Sequence, residues 1–154
     1  MPAHMPDLAL PRSVHVVLHG SDTPAQDSML VAQQEAAGIW RWSLFDPLGL
    51  PLARQILQDG QWRNDGFLAP NAAARTLFSA LIFAWTPDAA LTSVYPAGSW
   101  SQTVMPDGSR QRQLRHNGKI RWTITWQDAA SADIFTIHAA DGLLWQISPL
   151  KGMP

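Results

Sequence analysis

The clearest hydrophobic rhythm lies in KIRWTITWQ, where Ile120, Trp122, Ile124 and Trp126 alternate with Arg121, Thr123, Thr125 and Gln127. A period of two puts the first set on one face of a β-strand and the second on the other. SVHVVLHG repeats the pattern, with Val14, Val16 and Leu18 opposite His15 and His19. IWRWSLFD sets Trp40, Trp42 and Leu44 against Ile39, Arg41, Ser43 and Phe45. DIFTIH and LLWQIS read as a closing hairpin across Asp141-Gly142, with Leu143, Trp145 and Ile147 on one face of its second strand. Five Asp-Gly or Asn-Gly dipeptides, at 59–60, 65–66, 107–108, 117–118 and 141–142, tolerate the positive φ that tight hairpins need.

One stretch changes period. PNAAARTLFSALIFAW, residues 70–85, carries Leu77, Ala80, Leu81 and Ala84 on a single helical stripe, with Phe78, Ile82 and Trp85 on a second stripe beside it. Asn71 suits the N-cap and Thr86-Pro87 the stop. The expected order is strands near 12–19, 28–35, 39–46, 50–58 and 61–64, helix near 71–85 and 88–94, then strands near 99–104, 109–116, 119–127, 132–138 and 143–148. That is a mainly β, α+β fold: an antiparallel meander interrupted once by helix, one domain over residues 12–150. Residues 1–11 read as a flexible tag. His4-Met5 resembles a cloning scar, so the native chain is expected to begin further upstream.

Composition removes several function classes. Apolar residues make up 46% of the 154, enough for a core, while charged residues are only 15% and the net charge is −1. Neither nucleic-acid binding by phosphate neutralisation nor a polybasic membrane anchor fits that balance. There is no Cys, hence no thiol nucleophile and no zinc-thiolate site. No run reaches the length of a membrane-spanning helix, and Met1 to Pro6 lacks the features of a signal peptide. His15 and His19, i and i+4 on a strand, stand about 13 Å apart, too far to share one metal ion. The carboxylate pairs Asp22/Asp27 and Asp128/Asp133 fall in loops or at loop edges and read as solvated turn residues. No phosphate loop, nucleophile elbow or other catalytic constellation is present, and no cofactor or metal is implied.

Two features remain. The chain has eight Trp but only one Tyr. On alternating strands, Trp can fill an interior or line a ligand cavity there, and sequence treats the two alike. The second is LFDPLGLPLARQ, residues 44–55. Pro47, Gly49 and Pro51 explain a turn, but not why it also carries Leu48 and Leu50, where water ordinarily selects polar residues.

The order of elements, with FDPLGLPLAR (45–54) and RHNGKIRWTITW (115–126) as its most specific pieces, resembles the LolA/LolB-like superfamily of outer-membrane lipoprotein-localisation factors. It looks closest to the lipoproteins of that superfamily encoded beside fatty-acid-synthase-like gene clusters that make aryl polyenes. The resemblance covers about residues 12–148. It implies a half-open antiparallel β-barrel of about 9–11 strands, its mouth plugged by helix, and a cavity for the acyl chains of lipids or lipoproteins. Trp40, Trp42, Leu77, Leu81, Trp85, Trp122, Ile124, Trp126 and Trp145 would line that cavity. Leu48 matches the protruding leucine of the receptor-type Pro-Leu-Gly turn, and Leu50 would assist it against acyl chains or membrane. A periplasmic protein, held at the outer membrane by a lipidated Cys upstream of this chain, is the implied setting. The Cys itself is absent here, and the lid-locking arginine of LolA-type carriers is not matched by any motif. The implied role is non-enzymatic. A small enzyme acting on acyl or polyketide substrates in the same cavity, and a structural interaction module, are the alternatives. A buried His–carboxylate pair facing the cavity would mark the enzyme, and an interior filled by its own Trp side chains would mark the module.

Overall fold

The computed structural model describes residues 4–20, 24–66, 71–128 and 131–150. Its strands are β1 (Arg12–His19), β2 (Gln26–Ala36), β3 (Ile39–Phe45), β4 (Pro51–Gln58), β5 (Gln61–Asn64), β6 (Trp100–Val104), β7 (Arg110–His116), β8 (Lys119–Trp126), β9 (Phe135–Ala139) and β10 (Leu144–Pro149). Between β5 and β6 come helix α1 (Ala72–Trp85), a 3₁₀ turn over Asp88–Ala90 and the short helix α2 (Leu91–Val94). The expected string holds within a few residues at nearly every boundary. Asp59-Gly60 and Asn117-Gly118, with positive φ at both residues of each pair, close the β4–β5 and β7–β8 hairpins.

All ten strands form one antiparallel sheet in the order β5-β4-β3-β2-β1-β10-β9-β8-β7-β6. The architecture is not a single meander. Two five-strand meanders, one on either side of the helices in sequence, are joined by the pairing of β1 with β10. The sheet does not close into a barrel: β5 and β6 are its edges, and the helical segment connects one edge strand to the other.

The core forms where α1 meets one face of this sheet. Both helical stripes are used: Leu77, Leu81 and Ala84 are buried, and so are Phe78, Ile82 and Trp85. An alanine- and leucine-rich helix buried nearly all round belongs inside a fold, not on its surface. Asn71 caps α1 by accepting a bond from the Ala74 amide at 3.0 Å, and Thr86 ends it. No helix among the described residues is long and apolar enough to cross a membrane.

Two expectations need correction. Ile120 does not share the face of Trp122, Ile124 and Trp126; it is 42% exposed, whereas those three are buried. The register shows why. Leu114 pairs with Trp122 and Arg115 with Ile120, leaving Arg121 as an extra residue. Such a bulge reverses the alternation, so Ile120 follows Arg115 outward. The second correction concerns the supposed tag. Leu8 is buried in the core, Met5 and Leu10 pack against it, and the Leu8 carbonyl accepts from Arg12 Nε at 2.8 Å. Met5, Leu8 and Leu10 are enough to dock this segment onto the domain.

Candidate functional site

The turn between β3 and β4 is held by one carboxylate. Asp46 Oδ1 accepts from the amides of both Leu48 and Leu50 at 2.9 Å, while Gly49 N donates to the Asp46 carbonyl and Asp46 N to the Leu50 carbonyl. The backbone closes on itself, so the turn does not need leucine side chains to exist. Those side chains point into water: Leu48 is 87% exposed, Leu50 60% and Leu52 44%. Single exposed leucines are ordinary, but three within five residues make a patch.

One member of this patch, Leu52, also lines a cavity of about 220 Å³. Leu44, Leu52, Val16, Leu18, Leu77 and Trp145 form most of its apolar wall, with Asn71, Ala73 and Ala74 of α1 at the lip. Leu52 therefore belongs to the exposed patch and to the cavity wall alike. Its position follows from a bulge: Leu44 pairs with Ala53 and Phe45 with Pro51, leaving Leu52 as the extra residue.

The residues expected to line one large cavity are divided by the structure. Leu77 and Trp145 reach the cavity that Leu52 lines. Trp42, Leu81, Trp122, Ile124 and Trp126 are packed in the core. Trp42 lies 5.9 Å from Trp85 in a stacked arrangement, 6.2 Å from Trp62 edge-on and 5.7 Å from Phe78. Much of the interior is thus filled by aromatic side chains. Trp40 borders a separate groove beside Met5 and Leu10, and Trp85 borders another beside Arg12.

Arg112 was not singled out by the sequence, although RQRQL places it on the inward side of β7 in step with buried Leu114. The residue is 1% exposed, and its guanidinium is engaged at the end of α1. Nη1 donates to the carbonyls of Phe83 at 2.7 Å, Thr86 at 2.9 Å and Ala84 at 3.4 Å. Nη2 meets Asp88 at 2.7 Å and Nε meets Gln102 at 2.8 Å. Burial pulls this guanidinium down to about 10, against the opposing pull of Asp88, so it stays charged at neutral pH. A cation at a helix C-terminus also satisfies carbonyls that the helix leaves unpaired. The other end of α1 is tied by Arg75, which donates to Gln55 at 2.9 Å and Asn64 at 3.3 Å.

Of the histidines, His15 meets Asp27 at 2.8 Å and His19 meets Gln146 at 2.8 Å. Both pairs sit on the sheet face away from α1 and are exposed. Asp22 lies outside the described residues. Asp128 and Asp133 lie between β8 and β9, as expected of loop residues. No protein-family model matches the chain, and no curated protein matches it in sequence.

Proposed function

We propose that this chain binds acyl chains and exchanges them with a membrane surface, as a non-enzymatic lipid- or lipoprotein-handling protein of the bacterial cell envelope. The observation that carries the reading is that Leu52, which follows exposed Leu48 and Leu50 along the chain and is itself exposed, also walls the largely apolar cavity. A leucine turn that enters the membrane interface would set the cavity at the level of the acyl chains. Each leucine taken from water contributes about 1.5–3 kcal/mol, enough for guided contact and too little for permanent insertion. The cavity, about 220 Å³, falls below the roughly 300–1,000 Å³ of pockets that enclose whole ligands. It suits the end of a chain, with further room dependent on α1. That helix is held over the sheet at both ends, by Arg112 of β7 and by its own Arg75, as a seated plug is. The resemblance drawn from FDPLGLPLAR extends the proposal to a lipid-tethered protein at the outer membrane, serving lipids of the aryl-polyene type.

A second reading, a structural interaction module, draws on the Trp42–Trp85 stack with Trp62 and Phe78, which occupies the interior without a ligand. Liposome flotation of the wild type and Leu48→Glu separates the two. Acyl-chain exchange requires the wild type to float with vesicles and the variant to remain in solution with an unchanged melting temperature, because a charge resists entry into hydrocarbon. A wild type that does not float, or a variant that floats equally well, leaves the interaction module standing.

A further inference from the structure

The β2–β3 ladder ends at Met29 paired with Phe45. Beyond that pair, Gln26–Ser28 of β2 and the leucine turn part company, and a fork opens between them. The inner cavity lies on one side of this fork. On the other side, the outer sheet face carries a groove of about 590 Å³ walled by His15, Asp27, Met29, Pro47, Ser148 and Pro149. Asp27 and Ser28 border both spaces. The groove's polar side is set by strand register: Ser148, His15 and Met29 stand side by side across β10, β1 and β2, with Asp27 two residues before Met29.

We propose that this groove is a headgroup site, and that the amphiphile whose chain enters the inner cavity carries a positively charged amine bound by Asp27. The inference rests on the acyl-chain reading and adds the class of head. Among the described residues no Lys or Arg lines the groove, and Asp27 is the one carboxylate in its wall. His15 Nε2 donates to Asp27 Oδ1, which leaves Oδ2 without a partner among the described residues. An ammonium has donors only and a carboxylate acceptors only, so the two are complementary. An anionic head would meet the same carboxylate with no Lys or Arg beside it among the described residues. Met29, Pro47 and Pro149 offer apolar surface to the methylenes beside the nitrogen. The fork lets a chain pass from the outer groove into the inner cavity without crossing a hydrogen-bonded strand pair.

The test is a set of tryptophan-fluorescence titrations of the full chain, with Trp145 in the cavity wall as reporter. Dodecylammonium, dodecyl maltoside and dodecanoate, each below its micelle concentration, supply one chain with three heads, and ethanolamine supplies the amine alone. The expected result is dodecylammonium binding about three- to fivefold more tightly than dodecanoate, the size an exposed ion pair allows. Asp27→Asn, at a solvent-facing position, should reduce that ratio to about one. Equal affinity for all three heads would overturn the headgroup site while leaving acyl-chain binding intact. An unchanged ratio in Asp27→Asn, or ethanolamine binding as tightly as dodecylammonium, would also overturn it. No binding of any dodecyl compound would remove both proposals together.

Discussion

Trp42 on β3 stacks against Trp85 at the end of α1, with ring centroids 5.9 Å apart and planes 18° from parallel. Sheet and helix are joined by this contact across the interior, and Trp62 and Phe78 close around it. The Trp42 indole N–H has no hydrogen-bond partner among the described residues. Its contribution is therefore almost wholly packing. Trp42→Ala should cost about 3–5 kcal/mol through the void it leaves. Trp42→Phe should cost less than half of that, since it keeps an aromatic surface and removes an unpaired donor. Urea unfolding of the two variants checks the difference. Equal losses would mean that the N–H has a partner and does structural work.

Arg112 joins β7 to the end of α1 by three carbonyl contacts and to the following turn through Asp88. Arg112→Ala should cost about 3–5 kcal/mol, because the carbonyls lose their donor in a buried place. Arg112→Lys should recover only part of this, since one ammonium cannot span the fork of Gln102, Asp88 and the helix end. Asp88, more than half exposed, can turn to water, so Asp88→Asn should cost well under the Arg112→Ala value. Chemical denaturation of the three variants gives the order directly.

Ala73 sits exposed on the first turn of α1 and forms part of the cavity lip. Ala73→Trp should fill the cavity while costing less than about 1 kcal/mol in helix propensity. Binding of a dodecyl chain should fall sharply, while thermal melting moves by a few degrees at most. Unchanged binding would show that the chain goes elsewhere.

Asp46 closes the leucine turn by accepting hydrogen bonds from two backbone amides at one carboxylate oxygen. Asp46→Ala should lower stability by about 1 kcal/mol, as loss of a comparable cap does, and should loosen the display of Leu48 and Leu50. Liposome flotation should weaken, but less than with Leu48→Glu. Flotation equal to the wild type would mean that the leucines act without a fixed turn.

Strand alternation along β1, β3 and β10 and along β8 from Trp122 onward, the helix at 72–85 with its Asn71 cap and the Asp-Gly and Asn-Gly turns were all legible in the sequence. They are local: period, cap and turn chemistry act over a few residues, so no distant contact is needed to read them. The exposure of Leu48 and Leu50 was legible as a question, because a turn closed by Asp46, Gly49 and two prolines has no use for leucine. What the sequence could not decide was long-range. The pairing of β1 with β10 joins residues more than a hundred positions apart and converts one expected meander into two, with α1 bridging the free edges. The bulges at Leu52 and Arg121 depend on the neighbouring strand's register, and they alone put Leu52 in the cavity wall and Ile120 outside. Periodicity could show that Trp42 and Trp122 face inward, but not whether the inside is hollow, since packing and ligand lining use the same side chains. Only the tertiary structure shows the aromatic cluster filling much of the interior, Arg112 against the end of α1, and a cavity walled by Leu52, Leu77 and Trp145.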